Sequence, residues 1–291
     1  MLKISNCLIF ISTFIFLSHD NADAQTEGET WAKIKTAGKG ELRMLFYEQA
    51  ALIEYNKTGQ LQGLLVDIVS HFTDFVKKNY NVTLVLKYIQ EEDNTKYFQV
   101  INSQSNLLGV ANISITEERK LKYKFTPPYM PNIVQLITNV KSPTILTMDE
   151  LTANLKGCNG YAIESAISQS LLEKMKKKNL PSCNIIIAET GLQMLEGVSK
   201  DPKGFGIVDF TELLTAKRKN LSVKSHPIQL EKTEDLGFVM SKKTDWDVIW
   251  KEFLTEDYRT SLEFRRSVAK YLGSIYLQKR LSKSSASVGG N

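Results

Sequence analysis

The stretch LGVANISITEERKLKYKFTPPYMP, residues 108–131, decides how the rest of the chain is interpreted. Its apolar start leads into NISIT at 112–116, and the charged turn EERK follows at 117–120. A buried strand that ends in a helical turn presents hydroxyls and unpaired backbone N–H groups at that turn. A guanidinium group one step further on binds a carboxylate through two parallel hydrogen bonds. The stretch therefore predicts a place that holds an anion.

Composition limits the classes of function. The chain has 291 residues, of which 42% are hydrophobic and 24% charged, as is usual for a soluble globular protein. The net charge of +5 comes largely from 174–178 and 265–283, where aromatic residues do not alternate with the basic ones, so we expect no nucleic-acid partner. His71 and His226 are isolated, and glycine-rich phosphate loops are absent, so we expect no metal and no cofactor.

Residues 1–24 are interpreted as a secretory signal peptide. Lys3 gives a positive start, the run CLIFISTFIFL at 7–17 is apolar but short for a membrane span, and ADA at 22–24 is a small-x-small cleavage site. Cleavage would leave a soluble, exported chain that begins at Gln25. The alternative is an uncleaved N-terminal anchor.

Two cysteines remain after cleavage, Cys158 and Cys183, and each stands just before an apolar strand. If those strands are neighbours and parallel, both thiols fall at the same end of one sheet. An exported pair of this kind indicates a disulfide. The alternative is two free buried thiols.

A β-α alternation runs along the chain. Strands are predicted at 41–46, 81–88, 108–116, 123–125, 132–140, 160–163, 184–188, 204–208, 228–230 and 236–240. Helices are predicted at 64–78, 97–102, 147–155, 168–178, 191–198, 211–217, 246–254 and 261–281. This rhythm is typical of α/β folds, in which an open and mostly parallel sheet carries helices on both faces.

The order of these elements predicts two lobes. Residues 25–136 together with 232–281 form the first lobe, 137–231 form the second, and 282–291 are a frayed tail. Two crossing strands would join the lobes as a hinge. Open α/β sheets bind ligands outside the carboxyl ends of their strands, so we expect the site in a cleft between the lobes.

Four segments resemble the bacterial family 3 extracellular solute-binding proteins: LQGLLVDI at 61–68, ISITEERK with FTPPY over 113–129, GFGIVDFTELL at 204–214 and LGFVMSK at 236–242. The resemblance runs from about Glu41 to Leu272. It implies the two-lobe, type II periplasmic-binding-protein fold and a monomer in the periplasm. It also implies a small carboxylate-bearing ligand, in the first place an amino acid, an ABC permease in the inner membrane as partner, and no catalysis.

The resemblance also implies roles for single residues. Arg119 would hold the ligand α-carboxylate with the help of Ser114, and Asp209 would accept the α-ammonium from the other lobe. Further candidates for ligand contact in and around the matching segments are Asn112, Thr116, Glu164 and Ser165. The family has an aromatic platform where this chain has Ala50-Ala51, and the candidate replacements are Tyr47 and Tyr97.

Simpler interpretations of the same residues stay open. Arg119 could pair on the surface with Glu117 or Glu118. Ser114 with Glu117, and Asp209 with Glu212, both fit the spacing of a helix capping box.

Two rival functions also stay open. One is a sensory or regulatory binding module. The other is a same-fold enzyme similar to the cyclohexadienyl dehydratases, in which Glu164 would act as general acid or base.

Overall fold

The computed structural model describes residues 27–228, 230 and 234–273. The strands of this part are β1 (Lys39–Phe46), β2 (Glu54–Tyr55), β3 (Leu61–Gln62), β4 (Thr83–Gln90), β5 (Leu107–Ser114), β6 (Tyr123–Phe125), β7 (Met130–Pro131), β8 (Gln135–Asn139), β9 (Asn159–Ile163), β10 (Asn184–Ala188), β11 (Gly204–Val208), β12 (Val223–Ser225) and β13 (Asp235–Ser241). The predicted signal peptide and the frayed tail lie outside the described residues.

The helices of the same part are α1 (Trp31–Ala37), α2 (Leu64–Tyr80), α3 (Asn94–Ser103), α4 (Glu117–Lys122), α5 (Met148–Leu155), α6 (Ile167–Lys178), α7 (Gly191–Lys200), α8 (Phe210–Arg218), α9 (Trp246–Phe253), α10 (Glu256–Thr260) and α11 (Leu262–Leu272). The long helix α2 shows why these segments fold as they do. It buries Leu65, Ile68, Phe72 and Val76, which recur at the helical period, and leaves its polar side to solvent.

The two main sheets have the same strand order. The first is β4-β1-β5-β13-β6, with β7 paired to β13, and the second is β10-β9-β11-β8-β12. In each sheet the first three strands in spatial order are parallel to one another. The fourth strand is antiparallel to both of its neighbours, the third and the fifth. We call the first sheet with its helices the first lobe, and the second sheet with its helices the second lobe.

The chain crosses between the lobes twice. It leaves the first sheet after β7, enters the second at β8, and returns from β12 to β13. The antiparallel strands β8 and β13 are therefore the first strands that the chain forms after each crossing. The predicted α/β class with open, helix-flanked sheets is confirmed.

Each sheet is packed on both faces. In the first lobe one apolar cluster includes α2, α9 and α11, and its centre is the stacked pair Phe72 and Trp250, with ring centroids 3.9 Å apart. A second cluster beneath α3 covers the opposite face. The second lobe is likewise covered by one cluster that includes α5 and α6 and another that includes α7 and α8. The strands that end at the interlobe edge are thus held rigidly from both sides.

One predicted strand needs correction, and the structure adds two short helices. The last strand of the second lobe is Val223–Ser225 and not 228–230, because Val223 pairs with Asn139 while Ile228 lies beyond the strand. The short helices α1 and α10 were not predicted. Each is capped by a threonine and is too short for apolar periodicity to reveal it.

The predicted disulfide is absent: both cysteines are free and buried. Their strands are parallel neighbours as expected, since Asn159 pairs with Asn184 and the Asn184 amide donates to the Cys158 carbonyl at 3.2 Å. The thiols lie in the apolar cluster with Leu180, where burial raises the pKa of both Cys158 and Cys183 and so disfavours the reactive thiolate. The open alternative of two buried thiols is the one observed.

Candidate ligand-binding cleft

A cleft of about 520 Å³ lies between the two lobes. Its first-lobe wall comes from the loops after β1 and β4, the end of β5 and helix α4. Its second-lobe wall comes from the loops after β9, β10 and β11. All of these are carboxyl ends of parallel strands, where open α/β sheets place ligands, and the volume falls within the usual range of small-molecule sites.

Arg119 reaches across this cleft. Its backbone N–H donates to Thr116 Oγ1 at 3.1 Å, which caps α4 and fixes the residue at the end of the first-lobe wall. The guanidinium donates from Nη1 to the Ser114 carbonyl at 3.2 Å and from Nη2 to the Ser165 carbonyl of the second lobe at 3.0 Å. Its Cζ lies 4.9 Å from the centre of the Phe98 ring, a cation–π contact.

The surface-pair interpretation of Arg119 is wrong. Glu117 pairs with Lys120 and Glu118 with Lys122, so neither acid forms an ion pair with the arginine. Burial lowers the pKa of Arg119, but a guanidinium stays protonated in proteins. The cleft therefore holds a permanent, half-buried positive charge.

The start of helix α6 faces the same charge. Its N-cap residue is Ala166, which has no side chain to cap the first N–H groups, and Ala166, Ile167 and Ser168 all line the cleft. Eight of the eleven described helices have a side-chain cap, from Thr30, Asp93, Thr116, Thr147, Thr190, Asp209, Thr255 and Ser261. The first turn of α6 therefore has no side-chain cap, and it begins next to Ser165, whose carbonyl accepts from Arg119.

Asp209 begins helix α8 on the second-lobe wall. Its Oδ1 accepts from the Thr211 amide at 2.7 Å, the Thr211 hydroxyl at 2.6 Å and the Glu212 amide at 3.3 Å. Glu212 completes the capping box, since its Oε2 accepts from the Asp209 amide at 2.9 Å. The predicted capping role of Asp209 is confirmed, and the residue also lines the cleft.

Asn112 ties the two lobes together at this point. Its Nδ2 donates to Asp209 Oδ2 across the cleft. Its Oδ1 accepts from Gln49 Nε2 and, at 3.4 Å, from the Tyr47 hydroxyl. Burial and nearby carboxylates raise the pKa of Tyr47, so it stays neutral and able to donate. Two first-lobe side chains, Gln49 and Tyr47, therefore hold the Asn112 amide that contacts Asp209.

The other predicted site residues lie as follows. Ser114 is buried, lines the cleft, and accepts from Asn132 Nδ2 at 3.1 Å. Thr116 caps α4 and does not line the cleft, and Ser165 contributes its backbone carbonyl to Arg119. The Glu164 side chain is exposed outside the cleft, while its carbonyl accepts from the first lobe.

Tyr97 lies beneath the site instead of in it. The ring is fully buried, packs edge-to-face on Tyr47 at 5.2 Å, and does not line the cleft. Its hydroxyl abuts β5 and has no hydrogen-bond partner within the described residues, and a Cβ on Gly109 would stand 2.4 Å from it. Tyr97 therefore supports the wall that Tyr47 forms.

Tyr97→Phe is expected to leave ligand affinity unchanged and to raise the free energy of unfolding by up to about 2 kcal/mol, because it removes a buried hydroxyl without a partner. Urea denaturation checks the stability. Tyr47→Phe is the matched control. Its free energy of unfolding should fall by about 1 kcal/mol, because it loses the hydrogen bond to Asn112. A large drop in affinity for Tyr97→Phe alone would contradict this placement.

Several cleft residues were missed from the sequence. Glu212 was considered only as a helix cap, yet it lines the cleft. Gln49 reaches the site from a loop and Asn94 from the start of α3, and Asn94 Nδ2 donates to the second lobe at 2.6 Å. Glu54 and Arg218 form an ion pair across the rim. Only Glu212 had a local signal, its spacing from Asp209, and the others depend on tertiary folding.

Two lobes of equal strand order, joined by two crossings around a cleft, define a two-lobed binding protein of the type II periplasmic class. The sequence model for bacterial extracellular solute-binding proteins, family 3, matches residues 42–285. The chain belongs to this family, as the sequence resemblance predicted. Membership implies a periplasmic or extracellular protein that binds a small molecule.

Solved structures share the fold. An ancestral arginine-binding protein bound to arginine superposes with a TM-score of 0.64 at 17% identity, over 80% of this chain and 98% of that chain. A solute receptor for L-cysteine of Neisseria gonorrhoeae gives 0.65 at 16%, over 86% and 96%. An ancestral amino-acid-binding protein, a precursor of cyclohexadienyl dehydratase, gives 0.60 at 16%, over 82% and 98%. A search of curated protein sequences returned no significant match.

Within residues 27–228, 230 and 234–273, no helix is both long and apolar enough to cross a membrane. No group of three or more histidine, cysteine or acidic side chains in the same part of the chain is arranged to hold a metal ion.

Proposed function

We propose that this protein is an exported receptor for a small amine-bearing carboxylate, in the first place an amino acid. It acts as a monomer in the periplasm after the signal peptide is removed. Its closed, loaded form delivers the ligand to an ABC permease in the inner membrane. Ligand binding would favour the closed form through contacts with both lobes.

The observation that carries this proposal is the pairing of Arg119 with the uncapped start of α6. One group comes from each lobe, and Arg119 already donates to Ser165, the residue just before Ala166. A carboxylate placed there would receive a forked guanidinium and two helix N–H groups. These contacts exist together only when the cleft is closed, so the ligand would stabilise closure.

Relatives support the choice of ligand. Structures of the same fold are described with arginine, glutamine and L-cysteine as ligands, and another is a putative L-cystine ABC transporter protein. All four compounds carry a carboxylate and an amine. They are therefore the first compounds to test.

A thermal-shift screen tests the proposal. A true ligand at 100 times its dissociation constant should stabilise the protein by about 2.7 kcal/mol, which raises the melting temperature by about 5–10 °C. The panel comprises the amino acids, cystine, glutathione and small carboxylates that lack an amine. If no compound of this panel raises the melting temperature, the proposed function is wrong.

A same-fold enzyme is the second candidate, and it now depends on Glu212 instead of Glu164. Burial and the neighbouring Asp209 raise the pKa of Glu212 well above its ordinary value, which is the direction that a general acid requires. Turnover of a bound compound, followed by NMR and lost in Glu212→Gln, would favour this alternative. An unchanged ligand after long incubation would favour the receptor.

A further inference from the structure

Asn94 of the first lobe binds the backbone of the second lobe. It is the first residue of α3, it is 8% exposed, and its Nδ2 donates across the cleft to the Glu164 carbonyl at 2.6 Å. Arg119 Nη2 donates to the next carbonyl, that of Ser165, at 3.0 Å. Two successive carbonyls of the second lobe are therefore bonded to two side chains of the first lobe.

The turn that carries these two carbonyls is fixed by its own lobe. The Glu164 amide donates to the Ala188 carbonyl at 2.9 Å, and the Ser165 amide donates to Gln169 Oε1 at 3.0 Å. Ser165 has φ 57°, a left-handed conformation that a serine keeps only where the surrounding contacts enforce it. The second lobe therefore presents both carbonyls to the first lobe in a preformed turn.

The other contacts between the lobes differ from the Asn94 contact. Asn112 donates to Asp209, which is itself a proposed ligand contact. The Glu54–Arg218 ion pair lies at the rim, where the Arg218 side chain is 53% exposed, and an exposed pair contributes little. Asn94 is buried, and its acceptor is a backbone carbonyl, so its bond can form with or without a ligand in the cleft.

Arg119 can bind the turn and a ligand carboxylate at the same time. A guanidinium group has five N–H donors, and Arg119 gives one to the Ser114 carbonyl and one to the Ser165 carbonyl. Its remaining donors can bind a carboxylate without release of the turn. Closure of the lobes through this turn therefore does not compete with the ligand.

We propose that Asn94 is a positioning residue whose bond to the Glu164 carbonyl closes the lobes before a ligand binds. The ligand then binds a closed form that is already populated. Because the apparent affinity falls in proportion to the populated fraction of the binding form, loss of this bond should weaken every ligand by the same factor. The effect on affinity rests on the proposed function, whereas closure itself can be measured without a ligand.

Small-angle X-ray scattering of the purified full-length protein without ligand tests closure. Asn94→Asp keeps the size of the side chain but turns an oxygen instead of a donor toward the Glu164 carbonyl, and an acid in the first turn of α3 suits the helix dipole. Its radius of gyration should exceed that of the wild-type protein. Thr95→Ala is the matched control and should leave the radius unchanged, because the Thr95 and Ser165 hydroxyls are 3.5 Å apart, at the limit of a hydrogen bond.

Calorimetry with L-arginine, L-glutamine and L-cysteine measures the affinity. Asn94→Asp should weaken each compound that binds by the same factor, about 5- to 10-fold. Equal radii of gyration in the wild-type protein and Asn94→Asp, with or without a lower melting temperature, would overturn the inference and leave the receptor function intact. A loss confined to one compound would also overturn it, because that loss indicates direct contact with the ligand. The scattering result decides the role of Asn94 even if none of the three compounds binds, so the two proposals fail separately.

Discussion

Arg119→Ala is expected to weaken binding of a carboxylate ligand about 30-fold or more. Removing one member of a buried, hydrogen-bonded charge pair typically costs about 2–5 kcal/mol, and each 1.4 kcal/mol is about tenfold in affinity. Arg119 also donates to Ser165 of the opposite lobe, so its loss removes a contact of the closed state. Calorimetry, or the loss of the thermal shift, measures the effect.

Arg218→Ala is the matched control. Arg218 also links the lobes, through Glu54, but its side chain is 53% exposed. An exposed ion pair contributes at most about 1 kcal/mol, so the affinity should fall less than about fivefold. Arg119→Lys should give an intermediate loss, because lysine keeps the charge but not the fork. If Arg119→Ala binds the ligand with wild-type affinity, Arg119 does not contact the ligand.

The Arg119 end of the cleft could be predicted because its signals are local. The strand, the cap and the arginine of that end fall within 112–120, and the structure keeps their order. The α/β rhythm was equally local, since each strand and helix shows its own periodicity. The helix cap at Asp209 was visible from its spacing to Glu212.

The contacts at the Asp209 end of the cleft could not be predicted because they join distant residues. Asn112 and Asp209 are 97 positions apart, and only the folded chain shows that they are hydrogen-bonded to each other. The same limit applies to Tyr97, whose residue type fits a ligand platform and a core equally well. Whether Arg119, Ser114 and Asp209 contact a ligand stays a prediction.

Gly63→Ala is expected to lower the free energy of unfolding by about 3–5 kcal/mol, the sum of backbone strain and overpacking. Gly63 has φ 133° and ψ 171°, a conformation that is essentially restricted to glycine. A Cβ there would stand 2.1 Å from the Leu52 carbonyl oxygen and 2.8 Å from the Ile53 nitrogen. Backbone atoms cannot rotate away from such a clash.

The clash would also reach the ligand site. Helix α2 has no side-chain cap, and its Leu64 amide donates instead to the Ala51 carbonyl at 3.0 Å. This bond fixes the loop that carries Gln49 and Ala50 into the cleft. Gly63→Ala should therefore weaken ligand binding as well as stability, and urea denaturation with calorimetry at a temperature where the variant remains folded measures both.

Gly59→Ala is the matched control for Gly63→Ala. Gly59 lies in the turn between the paired strands β2 and β3, just before Gly63, with φ 76°, but a Cβ there meets nothing within 4 Å. Its cost should be about 1–2 kcal/mol, that of the left-handed backbone alone, with ligand affinity unchanged. If both variants lower the free energy of unfolding by the same amount, the clash with the Leu52 carbonyl contributes nothing to the loss of stability. Gly63 then does not hold the loop. If only Gly63→Ala loses affinity, the hairpin positions the first-lobe wall of the cleft.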